Sequence, residues 1–101
     1  MSDFIKRAKK QFGVIINSEE VGFAFPYIME IIKLYEENEI PIMGGDVYIR
    51  KGKKYVPAYD NWYFNKADAK VSFLKESIAA TREYILKYPK ENQPLFVLVP
   101  N

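Results

Sequence analysis

Residues 40–66 read IPIMGGDVYIRKGKKYVPAYDNWYFNK, and this stretch decides the fold. Ile40, Ile42, Val47 and Ile49 frame Gly44-Gly45 in the manner of a half-buried strand, and Tyr55 to Phe64 supplies a return strand. Between them, Lys51-Gly52-Lys53-Lys54 makes a turn in which Gly52 is free to take positive φ. The stretch is a β-hairpin. Arg50, Lys51, Lys53 and Lys54 charge its tip and discourage edge-to-edge pairing. Pro57 lacks an N–H, so the return strand is expected at a sheet edge or with a bulge. Asp60-Asn61 favours a second irregularity. The glycine pair is expected to mark a bulge or bend that requires positive φ.

The hairpin also concentrates the side chains best suited to recognition. Tyr48, Tyr55, Tyr59, Trp62, Tyr63 and Phe64 lie on it, interleaved with Asp46, Asp60 and Asn61. Tyrosine and tryptophan give large contact area for few rotatable bonds, which is the make-up of a protein-binding surface. Asp46, Tyr48, Tyr59, Asp60, Trp62 and Tyr63 are therefore the candidate partner-binding residues. Strand alternation places Tyr59 and Tyr63 on one face and Trp62 on the other, unless a bulge intervenes. Since one face must be buried, Trp62 is either a core anchor with a hydrogen-bonded indole or an interface residue. Asp46 and Asp60 either pair with Arg50 and cap turns, or contact a partner.

Working outward, Phe4, Ile5, Ala8 and Phe12 form one apolar stripe, predicting a helix over Ser2–Gln11 that Gly13 ends. Val14-Ile15-Ile16 is a short strand or linker. Ile28, Ile31, Ile32 and Tyr35 carry a second helix that opens near Pro26 and stops by Asn38. Glu36, Glu37 and Glu39 crowd its C-terminal end, where the helix dipole disfavours them. A third helix follows the hairpin, capped by Asn65 or Asp68, with Val71, Leu74, Ile78 and Ile85 on its stripe. Tyr88-Pro89 stops it. Leu95-Phe96-Val97-Leu98-Val99 is an unbroken apolar run, as in an interior strand buried on both faces. The expected class is α+β: a small, mostly antiparallel sheet, the hairpin plus the C-terminal strand, with three helices packed on one face. At 101 residues the chain is expected to form a single domain.

Composition narrows the chemistry. The chain has neither cysteine nor histidine, which removes thiolate chemistry, disulfides and the usual neutral-pH proton shuttle. No serine lies in a GxSxG or SxxK pattern, and Gly44-Gly45 lacks the Lys-Ser/Thr of a phosphate loop. No catalytic residue, metal site or cofactor is expected. A net charge of +2 does not call for nucleic acid or membrane, and no apolar run reaches the ~20 residues of a spanning helix. The apolar segment Phe12–Ile16 is too short for a signal peptide, so the expected location is cytoplasmic.

At this point Pro41-Ile42-Met43-Gly44-Gly45-Asp46-Val47-Tyr48, then Tyr59-Asp60-Asn61-Trp62-Tyr63, then a helix ending in Glu83-Tyr84-Ile85, resembles the immunity protein 40 family. The resemblance covers about residues 20–99. It implies a small α+β protein of bacterial polymorphic toxin systems, including contact-dependent inhibition, whose partner is a cognate toxin domain. It assigns no contact residues. Three other readings stay open: a nucleic-acid platform of hairpin aromatics with basic flanks, a small enzyme using Asp46 and Asp60, and a homodimer joined through an exposed strand.

Overall fold

The computed structural model describes residues 3–18 and 20–100. Helix α1 (Asp3–Phe12) leads into β1 (Val14–Ile15), β2 (Val21–Ala24) and α2 (Tyr27–Glu37). The hairpin β3 (Ile42–Lys51) and β4 (Lys54–Tyr63) follows, then α3 (Phe73–Lys87) and β5 (Leu95–Pro100). All five strands join one antiparallel sheet in the order β1-β2-β5-β3-β4, and the three helices pack on one of its faces. The fold is α+β, with β5 in the interior and β4 at an edge. Strand β2 goes beyond the sequence reading; it pairs with both β1 and β5.

The core lies between the helices and that face. Ile28, Ile31, Ile32 and Tyr35 of α2, Ile78 and Ile85 of α3, and Phe23, Ile42, Val47 and Phe96 of the sheet are buried together. Full burial of such a side chain contributes roughly 1.5–3 kcal/mol. Polar groups inside this layer are satisfied: Ser77 Oγ accepts from the Ile42 N–H at 3.2 Å and donates to the Leu74 carbonyl at 3.1 Å. Arg82 of α3 pairs with Glu36 of α2 at 2.9 Å, so one of the crowded glutamates ties the two helices together.

Several local expectations are corrected. Gly44 and Gly45 do not have positive φ; each lies where no Cβ fits. A Cβ on Gly44 would sit 2.2 Å from the Trp62 carbonyl oxygen, and one on Gly45 would sit 2.3 Å from the indole Cη2. Close approach, not backbone freedom, requires this pair. Among the glycines only Gly52, at the hairpin turn, has φ in the left-handed region (+62°). Strand β5 is buried on both faces only at its start: Leu95 and Phe96 are enclosed, whereas Val99 is 44% exposed. Among the described residues no helix covers the opposite sheet face, and the far half of the strand meets solvent there.

The start of α3 also differs. Asn65 caps a separate 3₁₀ turn, Lys66–Asp68, and Val71 is 95% exposed because the helix begins only after Ser72. The Ser72 hydroxyl accepts from the Lys75 N–H at 3.2 Å. The Glu76 carboxylate folds back to accept N–H groups of Lys70, Val71 and Ser72 at 2.7–3.1 Å. Those donors favour the charged form and hold the Glu76 carboxyl below the usual glutamate range. A carboxylate depressed on folding stabilises above its unfolded pKa, and that stability is lost as pH falls through the folded value. Replacing Ser72 by Ala should cost about 1 kcal/mol. Glu76→Gln should flatten the acid limb of a thermal-stability profile below the ordinary glutamate range, and an unchanged limb would contradict this assignment.

Candidate functional site

The surface left free of helices is set by strand register. Phe96 of β5 faces the core, so Leu95, Val97 and Val99 face the other way. Asp46 pairs with Val97 and Tyr48 with Leu95, which puts both on the open face of β3. On β4, Asn61 lies opposite Asp46 and Tyr63 opposite Gly44, and they share that face. Trp62 lies between them and points to the helices. The open face thus presents Asp46, Asn61, Tyr63 and Val99 to solvent, with Tyr63 67% exposed.

A bulge shapes the edge of this face. Between the pairs Asp46↔Asn61 and Tyr48↔Pro57, β3 carries Val47 while β4 carries Ala58, Tyr59 and Asp60. Tyr59 takes φ +61° there and is 89% exposed. A tyrosine in this region of φ is uncommon and strained. The bulge breaks the alternation, so Tyr59 does not share a strand face with Tyr63 in the simple way its spacing predicts.

Two adjoining hollows result. Asp46, Tyr48, Tyr59, Asp60 and Asn61 line one of about 190 Å³; Asp46, Asn61, Trp62, Tyr63 and Val99 line its neighbour of about 200 Å³. The two hollows share Asp46 and Asn61, and between them every candidate residue of the hairpin is a lining residue, but in different roles. Trp62 is 9% exposed, its indole N–H donates to Thr81 Oγ1 at 3.0 Å, and its ring stacks on Tyr84 at 4.8 Å. It braces the hairpin from the core side. Tyr48 is half-buried, its hydroxyl donating to Glu20 at 2.6 Å; that bond, with burial second, pushes its pKa up to about 12. The same bond holds the Glu20 carboxyl below its usual range. Tyr48 is thus a fixed, neutral wall.

The two aspartates are used differently. Asp60 turns toward α3 and accepts the Tyr88 hydroxyl at 2.6 Å. Burial first, and then that bond, raise the Tyr88 pKa to about 12. Asp46 is exposed and its side chain makes no hydrogen bond or ion pair among the described residues; Arg50 instead donates to the Gly52 carbonyl at 2.9 Å. Asp46 and Asp60 thus border the same hollow in different states, Asp60 held by Tyr88 and the Asp46 carboxylate open to solvent. No group of three or more His, Cys, Asp or Glu side chains suited to a metal occurs among the described residues.

Sequence reading misses Glu20, Tyr84 and Tyr88. The i, i+4 spacing of Tyr84 and Tyr88 near the end of α3 is a usable signal, whereas Glu20 has none. No helix among the described residues is long and apolar enough to cross a membrane. One family model, described as immunity protein 40, matches residues 10–100. Comparison with curated proteins and with solved structures finds no match.

Proposed function

Because the chain belongs to the immunity protein 40 family, we propose that it is a cytoplasmic immunity protein that binds a cognate toxin domain and neutralises it by contact, without turnover. The open sheet face supports this reading. It groups Asp46, Tyr59, Tyr63 and Val99 at the surface over the fixed wall of Tyr48, with Asp60 at its edge. Rigid tyrosines lose little entropy on docking, and exposed carboxylates steer and select a basic partner. The whole chain, residues 1–101, acts as one unit in this reading.

Nucleic-acid binding fits less well. A stacking platform needs Lys or Arg beside its rings. Here the rings stand among Asp46, Asp60 and Glu20, while Lys51, Lys53 and Lys54 lie at the far turn of the hairpin. Dimerisation through β4 meets Pro57 and the Tyr59 bulge, both of which interrupt a continuous edge.

The test is co-expression with the cognate toxin domain, read as growth rescue and co-purification. Asp46→Lys combined with Tyr63→Ala should weaken that complex by about tenfold or more, because charge reversal and anchor loss act together. Melting temperature should hold. Unimpaired binding by this double variant would place the contact elsewhere, and no binding by the unaltered chain would remove the immunity reading.

A further inference from the structure

Around the β4 edge, a separate concavity of about 410 Å³ opens along α3, lined by Ala80, Glu83, Tyr84, Lys87, Tyr88 and Pro89. Its size is that of ligand-binding clefts. Its floor is aromatic: Tyr84 stacks by one face on Trp62, and Tyr88 leans against Tyr84 with ring centres 5.8 Å apart. Asp60 links it to the open sheet face, since it borders that hollow and also accepts the Tyr88 hydroxyl. The Asp60–Tyr88 hydrogen bond joins the two surfaces across the strand edge.

The charges in this groove, Glu83 and Lys87, and the charge beside it, Asp60 at the Tyr88 hydroxyl, are unequal. Glu83 and Lys87 pair with each other at 2.6 Å and cancel. Asp60 has a neutral donor, Tyr88, and no cation paired with it among the described residues. Its negative potential reaches the rings: Tyr84 is pushed up by burial and then by Asp60. An aliphatic side chain would cover the rings but leave that carboxylate without a counter-charge. A lysine would answer the charge as a point, with no plane to stack. A guanidinium does both, stacking on tyrosine and donating a fork of N–H groups to a carboxylate.

We infer that the Tyr84–Tyr88 groove is the subsite for an arginine side chain of the toxin domain, clamped between the tyrosine rings and Asp60. This rests on the immunity reading for the source of the arginine, but the chemistry of the groove is testable alone. Titrating the full chain with N-acetyl-arginine amide should give saturable amide NMR shifts at Ala80, Tyr84 and Tyr88. N-acetyl-lysine amide should act more weakly, and Asp60→Asn should abolish the preference. Ala80→Lys, on a half-exposed helical position that tolerates lysine, places a tethered cation in the groove and should weaken toxin binding about tenfold.

No shifts with either amide, or equal shifts with both, would overturn the inference. Toxin bound equally by the unaltered chain and by Ala80→Lys would overturn it too, while leaving the immunity reading intact. If the unaltered chain binds no toxin, the immunity reading fails and takes the toxin's arginine with it. The titration then still decides whether the groove selects a guanidinium.

Discussion

Trp62→Ala should cost about 3–5 kcal/mol, the range for emptying a large aromatic site in a packed core. The indole sits between Tyr84, stacked at 4.8 Å, and Phe96, met edge-on at 6.4 Å, and lies over Gly45. Its loss leaves a cavity on the helix side and also strips Thr81 of its donor at 3.0 Å. Domains of this size have roughly 5–15 kcal/mol in all, so a large share of the stability would go. The melting temperature should fall by about 20 °C, given about 4–8 °C per kcal/mol for domains up to this length. Trp62→Phe should fall between, keeping a ring for Tyr84 but giving Thr81 no partner. A stable Trp62→Ala protein that no longer binds toxin would show instead that the indole is a contact residue.

The position of Trp62 shows what is legible in the sequence and where legibility stops. Alternation puts Trp62 and Tyr63 on opposite faces, and their exposures bear that separation out. Which face carries the helices depends on distant partners, above all Ile78, Thr81 and Phe96, which local spacing cannot supply. Helix α2 is legible because Ile28, Ile31, Ile32 and Tyr35 repeat with helical period, and all four are buried. On α3 the same period overreaches to Val71, because the Ser72 cap and the folded-back Glu76 set the boundary. Strand β2 has no local signal. Val21-Gly22-Phe23-Ala24 is short and interrupted by glycine, and it exists through pairing with β1 and β5.

The candidate surface divides in the same way. Aromatic and acidic residues crowded on one hairpin are visible as composition, and the hollows bordering them share Asp46 and Asn61. Pro57 and Asp60 announce the bulge that exposes Tyr59, but the direction in which it turns that ring follows from the pairing of β4 with β3. The Asp60–Tyr88 contact spans 28 positions and joins a strand to a helix end. No local rule links those residues. The arginine groove is therefore a product of tertiary packing, which the sequence records only as two tyrosines four apart.

Gly45→Ala should destabilise by about 3 kcal/mol, the upper part of the range for overpacking a closed site. The added Cβ would lie 2.3 Å from the Trp62 Cη2 and 2.4 Å from the Val97 carbonyl oxygen. A side-chain ring can shift, but the Val97 oxygen belongs to the β5 backbone paired with β3. Either the indole is displaced from Tyr84 or the two strands separate. Gly52→Ala is the control: its Cβ meets open space, and only the left-handed φ of +62° opposes it. That substitution should cost about 1 kcal/mol. The two glycines thus answer to different physics, steric approach at one and backbone freedom at the other. A double-mutant cycle separates the two obstacles at Gly45, because Trp62→Ala removes the ring and leaves the carbonyl. In that background Gly45→Ala should cost clearly less than in the unaltered chain, yet more than Gly52→Ala. Simple additivity would mean that the indole does not rest on Gly45, and the bracing of the hairpin by Trp62 would have to be abandoned.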